Sequence, residues 1–474
     1  MLTATCASSS DPPSTFLSDE TRGRPTAIPT LPSDAGLLGV KWDWPRVETY
    51  RPQLETLPGG ETWQELVWCD VERARGAPDW SAIDEVVDDA ARLGFVIHLK
   101  IRVGSCWVTD RRLGERGRLH KTASLLPTDL EAYRAFVRSA VIRYAPKGVH
   151  RYAIENEANG ESFWQSSAAD YDALARVASA AIRESDPGAV VLDSGISATA
   201  YGVGLADWLL RQGDEEEALA AYHRYYARRF DRRTNDFPRV NDTGELNEAL
   251  QREQARRNLD FLQVTFGLAH DHVIDAYQLH FYEPWQNVPL LMEFLRSQLP
   301  AAMPVEAWEV GIFWPDAPPG EAVLAAEEAK LISLLLAAGV RTVIWLPAAF
   351  NAEGRQPREI RWGLFDPQGR PRLLASVFGD LARAAAGSDV QPVGRNGIEG
   401  VAFGSVDGTV LVLWSGDTTQ LGGPPPQGAT ARHLDGELRS WGEAGLEVRA
   451  EPIIIQVPQP SEAALALISA PGAG

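Results

Sequence analysis

Two glutamates are the residues of this sequence most suited to chemistry. Glu157 ends the segment Ile154-Glu155-Asn156-Glu157, and Glu309 follows 152 residues later in the segment Val305–Ile312. Each segment begins with apolar residues typical of a buried strand, and a buried carboxylate is costly unless it is paired or functional. The two residues therefore predict either a structural ion pair or an acid/base and nucleophile pair.

Other polar residues accompany the expected strands. His98, Lys100 and Arg102 alternate with apolar residues, so one face of that strand is basic. Further candidates stand at the ends of two later strands: His280, Tyr282 and Trp345. These side chains are candidates for holding the carboxylates or for contacting a ligand.

Eight segments have the composition of buried strands, and amphipathic helices separate many of them. The segments are Leu38–Trp44, Leu66–Glu72, Val96–Val103, His150–Glu157, Val190–Ile196, Ile274–Tyr282, Val305–Ile312 and Thr342–Pro347. Strands joined by helical crossovers form a parallel sheet, and eight of them close a (β/α)8 TIM barrel. Because active sites of this fold form at the carboxyl ends of the strands, Glu157 and Glu309 are expected at one site.

The composition of the chain predicts three regions. Residues 1–36 are rich in Ser, Thr and Pro and are expected to be a disordered leader. Residues 37–385 are expected to form the barrel, with a helical insertion at about 206–272. Residues 386–474 contain short strand-like segments separated by Gly, Pro and Asp turns, which predicts a C-terminal all-β sandwich.

Charge and cysteine content narrow the class of protein. The 474 residues include 45 Lys or Arg and 64 Asp or Glu, a net charge of −19, which disfavours binding to nucleic acid. No apolar run approaches the ~20 residues of a membrane span. Three cysteines argue against a disulfide framework. No signal peptide is visible, so the location is open: extracellular or cell envelope if a leader is missing, otherwise cytoplasmic.

Metal and serine chemistry are weaker interpretations. His270-Asp271-His272 is a pair of the kind that binds zinc or iron, but it precedes the sixth strand in a helical context. The GxSxG sequence of a serine esterase does not occur. We therefore expect no metal and no organic cofactor.

An ordered set of motifs resembles the clan A glycoside hydrolases, which are retaining β-glycosidases that include a family 39-like and a cellulase-like group. The motifs are Asn156-Glu157, Glu309, Pro78-Asp79-Trp80-Ser81-Ala82-Ile83-Asp84, Leu93-Gly94-Phe95, Asp186-Pro187, His280-Phe281-Tyr282 and Trp362-Gly363-Leu364-Phe365-Asp366. Together they span about residues 38–457. Two positions depart from the family pattern: Ala158 stands where Pro is usual, and Trp308 where Thr or another small residue is common.

The resemblance implies a double displacement on β-linked glycosides with retention of configuration. Glu309 would be the nucleophile, Glu157 the acid/base, protonated at the start, and Asn156 a partner of the sugar 2-hydroxyl. The remaining implied roles are Arg102 as a donor to Glu309 or as a barrel salt bridge, Tyr282 as a donor to Glu309, His280 as a partner of sugar hydroxyls or of Glu157, and Trp345 as the floor beneath the sugar. Glu155 shares the strand parity of Glu157 and competes for the acid/base role.

The implied partner is an oligosaccharide, a polysaccharide or a small glycoside. One alternative is a catalytically inactive glycan-binding protein on a glycosidase barrel. Another is a structural protein in which Glu157 and Glu309 form salt bridges with Arg102 and Lys100.

Overall fold

The computed structural model of the chain describes residues 37–57, 60–109, 123–230, 237–314, 319–349, 363–460 and 464. The predicted leader at residues 1–36 lies outside this part of the chain, and so does Trp362 of the motif that follows the eighth strand.

Eight parallel strands form the first sheet. They are β1 (Leu37–Val40), β2 (Glu61–Val67), β3 (Val96–Arg102), β4 (Arg151–Ile154), β5 (Val190–Leu192), β6 (Tyr277–Phe281), β7 (Val305–Val310) and β8 (Val340–Trp345). The order is β5-β4-β3-β2-β1-β8-β7-β6. Parallel bridges from Leu192 to Ala276 and from Ile196 to Leu279 join β5 to β6. These bridges close the sheet, and the predicted TIM barrel is confirmed.

Helices surround the barrel and connect its strands. They are α1 (Val47–Leu54), α2 (Trp68–Val71), α3 (Ser81–Arg92), α4 (Leu130–Tyr144), α5 (Ala168–Ser185), α6 (Ala198–Gln212), α7 (Glu215–Tyr226), α8 (Thr243–Leu250), α9 (Glu253–His270), α10 (Val288–Gln298), α11 (Glu321–Ala337) and α12 (Leu373–Ala385). Helix α5 begins with a reciprocal capping box, which Ser167 and Asp170 form. Across the described residues, no helix has the length and apolar character needed to span a membrane.

The second strand lies earlier in the sequence than predicted. We expected Leu66–Glu72, but β2 is Glu61–Val67 and Trp68–Val71 is helical. The prediction followed the apolar residues, whereas the part of β2 that it missed carries Glu61 and Trp63. These side chains are accommodated because Glu61 contacts His98 and the Trp63 indole N–H donates to the Trp308 carbonyl at 2.7 Å.

A small apolar cluster fills part of the barrel interior. Its buried members are Trp63, Ala153, Leu192, Ala276, Trp308 and Ile344. Five of these residues come from five different strands and Ala276 directly precedes β6, so the interior is a packed core that supports the polar groups at the strand ends.

Antiparallel sheets follow the barrel. Five strands, β9 (Asp389–Arg395), β10 (Ile398–Gly404), β11 (Thr409–Ser415), β13 (Thr430–Arg432) and β15 (Ile453–Val457), form one sheet, and β12 (Thr419–Leu421) pairs with β14 (Leu446–Val448). The two sheets share an apolar core that includes Leu413, Leu421 and Leu446. Against the barrel, Trp414 of β11 meets Trp285 edge to face at 5.7 Å.

The structure contains one disulfide, although the cysteine count argued against a disulfide framework. Cys69 in α2 and Cys106 after β3 are bonded, with their Cα atoms 5.6 Å apart. The count could not predict this pair because one disulfide between neighbouring strand ends needs no cysteine-rich framework.

Candidate active site

Strand β3 carries its basic residues into the barrel, as the alternation predicts. His98, the deepest of the three, stacks on Trp308 with ring centroids 4.8 Å apart and contacts Glu61. Lys100 and Arg102 lie progressively nearer the carboxyl end of the strand, and both are buried. The three side chains therefore lie at different heights in the barrel, and each has a carboxylate partner at its own height.

Glu309 is held by two donors. The Lys100 ammonium donates to Oε1 at 2.7 Å, and the Tyr282 hydroxyl donates to Oε2 at 2.8 Å. Burial alone would raise the pKa of Glu309, but the adjacent His280 ring, the Lys100 ammonium and these hydrogen bonds hold it below its usual value. Glu309 is therefore an ionised carboxylate across the neutral pH range.

A β-bulge directs Glu309 into the barrel. Between the Gln278–Glu306 and His280–Glu309 pairs, β7 uses one residue more than β6, and its register with β8 also shifts in this region. An extra residue bends a strand and redirects a side chain. As a result Trp308 fills the interior cluster while its neighbour Glu309 also faces the site. This geometry accommodates the large residue at position 308.

Glu157 follows β4 in an unusual backbone conformation. Its φ is 41° and that of Glu155 is 68°, in the left-handed region that side chains other than Gly rarely adopt. The Glu157 amide donates to the Ser194 carbonyl at 3.0 Å. The Ala158 amide lies 3.3 Å from the Ser194 hydroxyl, a contact that proline could not make. Strained conformations of this kind cluster at functional sites.

The two predicted carboxylates are close together. An oxygen of Glu157, a ring nitrogen of His280 and an oxygen of Glu309 lie within 4.8 Å of one another. His280 Nδ1 is 3.1 Å from Glu157 Oε1 and 3.6 Å from Glu309 Oε2. Glu157 is the more exposed carboxylate, with 18% of its side chain accessible against 8% for Glu309. The groups therefore differ in both partners and contact with solvent.

Arg102 belongs to a second ionic cluster beside the first. Its guanidinium lies 3.1 Å from Glu65 and 3.5 Å from Glu155. Glu155 also accepts the Val103 amide N–H at 2.7 Å. The contact to Glu309 that we predicted for Arg102 is made by Lys100, and Arg102 forms the barrel salt bridge that was its alternative role. Glu155 is fully buried among these partners, away from the contacts of Glu157.

Asn156 is buried and shares the cation that binds Glu309. Its side-chain oxygen accepts from Lys100 Nζ at 2.7 Å. The same ammonium lies 3.9 Å from the centre of the Trp63 ring. Lys100 thus holds the predicted sugar-binding amide and the predicted nucleophile together. The only indication of this role in the sequence was the place of Lys100 on the basic face of β3.

Trp345 does not join the interior cluster. Ile344, the preceding residue, is part of that cluster, whereas Trp345 is fully buried in the large core around it. Its role as a floor beneath a sugar remains a prediction.

Two buried residues that sequence reasoning missed support His280. The Gln278 side chain lies 2.9 Å from His280 Nε2 and also contacts the carbonyl of Asp193. Gly195 has a φ of 64°, and a Cβ there would lie 2.2 Å from His280 Nε2. The only signal for Gln278 in the sequence was its place two residues before His280 on the same strand.

Lys41 is a further group at this end of the barrel that the sequence did not single out. It follows β1, its Nζ donates to Gln64 Oε1 at 2.8 Å, and it lies 4.9 Å from the Trp63 ring centre. Burial lowers the pKa of Lys41 to about 7, against the attraction of Glu65 and Asp43. Lys41 and Lys100 therefore both lie close to the Trp63 ring.

Residues within the predicted helical insertion contact the segments that follow β6 and β7. Beyond α7, Arg229 forms an ion pair with buried Glu283 and lies 3.9 Å from the Phe313 ring centre. Arg228 lies 4.0 Å from the ring of Trp314, one of the aromatic residues after β7. Arg228 and Arg229 therefore place two positive charges against the segment after β7.

Glu157, His280 and Glu309 are also the types of residue that bind metals. Within the described part of the chain they form the one group of three such side chains with closely spaced ligand atoms. Lys100 already places a positive charge 2.7 Å from Glu309, which opposes a second cation there. In the other candidate pair, the His270 ring donates to the Gln298 carbonyl at 3.0 Å.

Comparisons with known proteins find solved structures of similar fold. No family model matches the sequence, and no curated protein matches it significantly. A family 39 glycoside hydrolase from the gut symbiont Bacteroides cellulosilyticus superposes with a TM-score of 0.59 at 14% identity, covering 90% of this chain and 82% of that one. This chain has the fold of glycoside hydrolases.

Two other enzymes show the same likeness. A family 39 β-xylosidase from Caulobacter crescentus gives a TM-score of 0.54 at 13% identity, covering 90% of this chain and 96% of that chain. A family 30 subfamily 8 xylanase from Clostridium acetobutylicum gives 0.52 at 9% identity, covering 89% and 95%. The resemblance predicted from the motifs is confirmed for the fold, over most of the length of the chain.

Proposed function

We propose that this protein is a retaining glycoside hydrolase that cleaves β-linked glycosides by double displacement. The observation that carries the proposal is the pair of carboxylates at the ends of β4 and β7, with an oxygen of Glu157 within 4.8 Å of one of Glu309. Retaining enzymes use carboxyl groups about 5–5.5 Å apart, whereas inverting enzymes need about 6.5–9.5 Å to admit water.

Each glutamate has the surroundings that its role requires. Glu309, ionised by Lys100 and Tyr282, attacks the anomeric carbon as the leaving oxygen takes the proton of Glu157. Glu157 then removes a proton from water, which attacks the same carbon and releases Glu309. Asn156, oriented by Lys100, is placed to bind the sugar 2-hydroxyl, a contact that strengthens in the transition state.

The test is to trap the intermediate. The protein is incubated with 2-deoxy-2-fluoro-β-glycosyl fluorides of the gluco, galacto, xylo and manno series, followed by intact mass measurement and peptide mapping. We expect one glycosyl adduct, on Glu309, and none in Glu309→Gln. An adduct on another residue contradicts the site assignment. Glycan binding without an adduct or hydrolysis of any glycoside favours the inactive glycan-binding protein instead.

A further inference from the structure

The buried amide of Gln278 has a defined orientation. Its Nε2 lies 2.7 Å from the backbone carbonyl of Asp193, and the Gln278 backbone N–H donates to the Asp193 carboxylate at 2.6 Å. A carbonyl oxygen can only accept, so the NH₂ group must face it. The Oε1 atom therefore points to His280 Nε2, 2.9 Å away. Both side chains are completely buried.

This orientation determines where the proton of neutral His280 lies. Because Oε1 of Gln278 is an acceptor without a proton, His280 Nε2 must donate to it. Lys100 is the other group near Nε2, at 3.3 Å. Two of its N–H bonds have nearer partners, Glu309 Oε1 and Asn156 Oδ1, each at 2.7 Å, and the ammonium also lies 3.9 Å from the centre of the Trp63 ring. Nothing therefore requires Nε2 to act as an acceptor.

The other ring nitrogen then faces Glu157 as an acceptor. In the neutral tautomer with its proton on Nε2, Nδ1 carries a lone pair, 3.1 Å from Glu157 Oε1. If Glu157 were ionised, its carboxylate oxygen and Nδ1 would both be acceptors, and no hydrogen bond could form between them. A protonated Glu157 instead donates a hydrogen bond to Nδ1. The geometry thus favours the protonated acid that the first step of the proposed reaction needs.

We propose that Gln278 is a positioning residue that keeps the proton of His280 on Nε2, so that Nδ1 holds the acid form of Glu157. This inference rests on the proposed function and extends it to the control of the acid/base group. After Glu157 gives its proton to the leaving oxygen, its carboxylate faces the Nδ1 lone pair. It regains a proton from the attacking water, and His280 ends each cycle with the proton it began with.

Several other charged or titratable groups face this pair. Glu309 of β7 and Lys100 of β3 lie 3.6 Å from Nδ1 and 3.3 Å from Nε2 of His280, respectively. Asp193, at the end of β5, meets the backbone of Gln278, and Tyr282 of β6 contacts Glu309. All of these are unchanged in the variant chosen as the test.

The test is Gln278→Met, which keeps the length of the side chain and removes its acceptor. His280 can then place its proton on Nδ1 and donate it to ionised Glu157, with Lys100 donating to Nε2. We expect the alkaline limb of the kcat/KM profile to move to lower pH by about one unit with an alkyl glycoside, whose poor leaving group needs the acid. With a 2,4-dinitrophenyl glycoside, which leaves without protonation, the profile is expected to change much less.

The matched control is Leu279→Met, on the same strand but packed in the outer core. Its alkaline limb is expected to coincide with that of the wild type. A folded Gln278→Met protein whose alkaline limb stays in place, or moves to higher pH, overturns the proposal.

A second measurement needs neither turnover nor the Gln278→Met variant. Wild-type protein labelled with ¹⁵N-histidine contains eight histidines, and the His280 signals are assigned by their loss in His280→Gln. At a pH where the ring is neutral, we expect the proton on Nε2, and a proton on Nδ1 overturns the proposal. A wild-type protein that hydrolyses no glycoside but shows the proton on Nε2 contradicts the proposed function while supporting the tautomer.

Discussion

Two ionic clusters lie side by side at the carboxyl end of the barrel, and they differ in how completely their carboxylates are bound. In one, Arg102 contacts Glu65 and Glu155, and Glu155 also binds a backbone amide. In the other, Lys100 and Tyr282 hold Glu309, while Glu157 is partly exposed. The first cluster is suited to fixing β3 against β2 and β4. The second leaves one carboxyl group with access to solvent, as acid/base chemistry requires.

The comparison also separates Glu157, which we assigned as the acid/base, from its competitor Glu155. Glu155 and Glu157 are two residues apart, and both have left-handed backbone conformations. Glu155 is enclosed by Arg102 and the backbone, whereas Glu157 meets His280 and solvent. Proximity in sequence therefore conceals different surroundings, which depend on partners from other strands.

Among the variants that test the difference between the two clusters, Glu309→Gln is expected to have the largest effect. If the second cluster is catalytic, this variant loses the nucleophile, and kcat should fall by more than about 10⁴-fold. The measurement is hydrolysis of an aryl glycoside that the wild-type protein cleaves. Retention of most of the activity would show that Glu309 is a structural carboxylate like Glu155.

Glu157→Ala should have the next largest effect. Removal of a general acid costs about 10²–10⁴-fold for a poor leaving group and much less for a good one. Azide should restore turnover of an activated glycoside by attacking the glycosyl-enzyme, giving a β-glycosyl azide that product analysis detects. Equal losses for both leaving groups, without rescue, would contradict the acid/base role.

Lys100→Met and Arg102→Met compare the cations of the two clusters. Lys100 lowers the pKa of Glu309, so its removal should raise that pKa and move the acidic limb of the kcat/KM profile to higher pH. Arg102→Met leaves Glu155 buried without its cation, which should cost about 3–5 kcal/mol of unfolding free energy. The acidic limb of the kcat/KM profile of Arg102→Met should stay in place. Identical shifts in the two variants would show that the clusters titrate as one.

Glu155→Gln is expected to have the smallest effect, and it acts on stability. Burial raises the pKa of Glu155 against the opposing charge of Arg102. The folded protein then binds more protons than the unfolded chain just above the ordinary Glu pKa, so this group lowers stability as pH rises through that window. Urea unfolding between pH 4 and 7 should show less loss of stability in the variant than in the wild type. A large loss of kcat in this variant would instead indicate that Glu155 has a catalytic role.

The sequence predicted the strands and the two carboxylates better than their partners. Apolar runs located β3 and β7 closely, because those strands are mostly buried. The prediction of β2 was displaced because polar Glu61 and Glu65 face the barrel interior, where His98 and Arg102 bind them. The bulge in β7 could not be foreseen, since it depends on pairing with both neighbouring strands.

The assignment of Arg102 as a donor to Glu309 failed for a related reason, whereas Tyr282 does donate to Glu309 as predicted. The alternation of β3 showed that Lys100 and Arg102 share a face, but not which of them meets Glu309. That choice depends on their height in the barrel and on the position of β7. Gln278 was missed because an amide inside an apolar strand has no significance until its hydrogen-bond partners are known.

The Cys69–Cys106 bond has a consequence for how the protein is made. It ties the helix after β2 to the segment after β3, the two strands that carry Glu65 and Arg102. Such bonds form and persist in oxidising compartments, whereas the thiols of a bacterial cytosol are kept reduced. Material produced in a reducing host would carry two free thiols at the rim of the barrel. Recombinant preparations intended for kinetics therefore call for periplasmic or otherwise oxidising expression, with a thiol titration before the first assay.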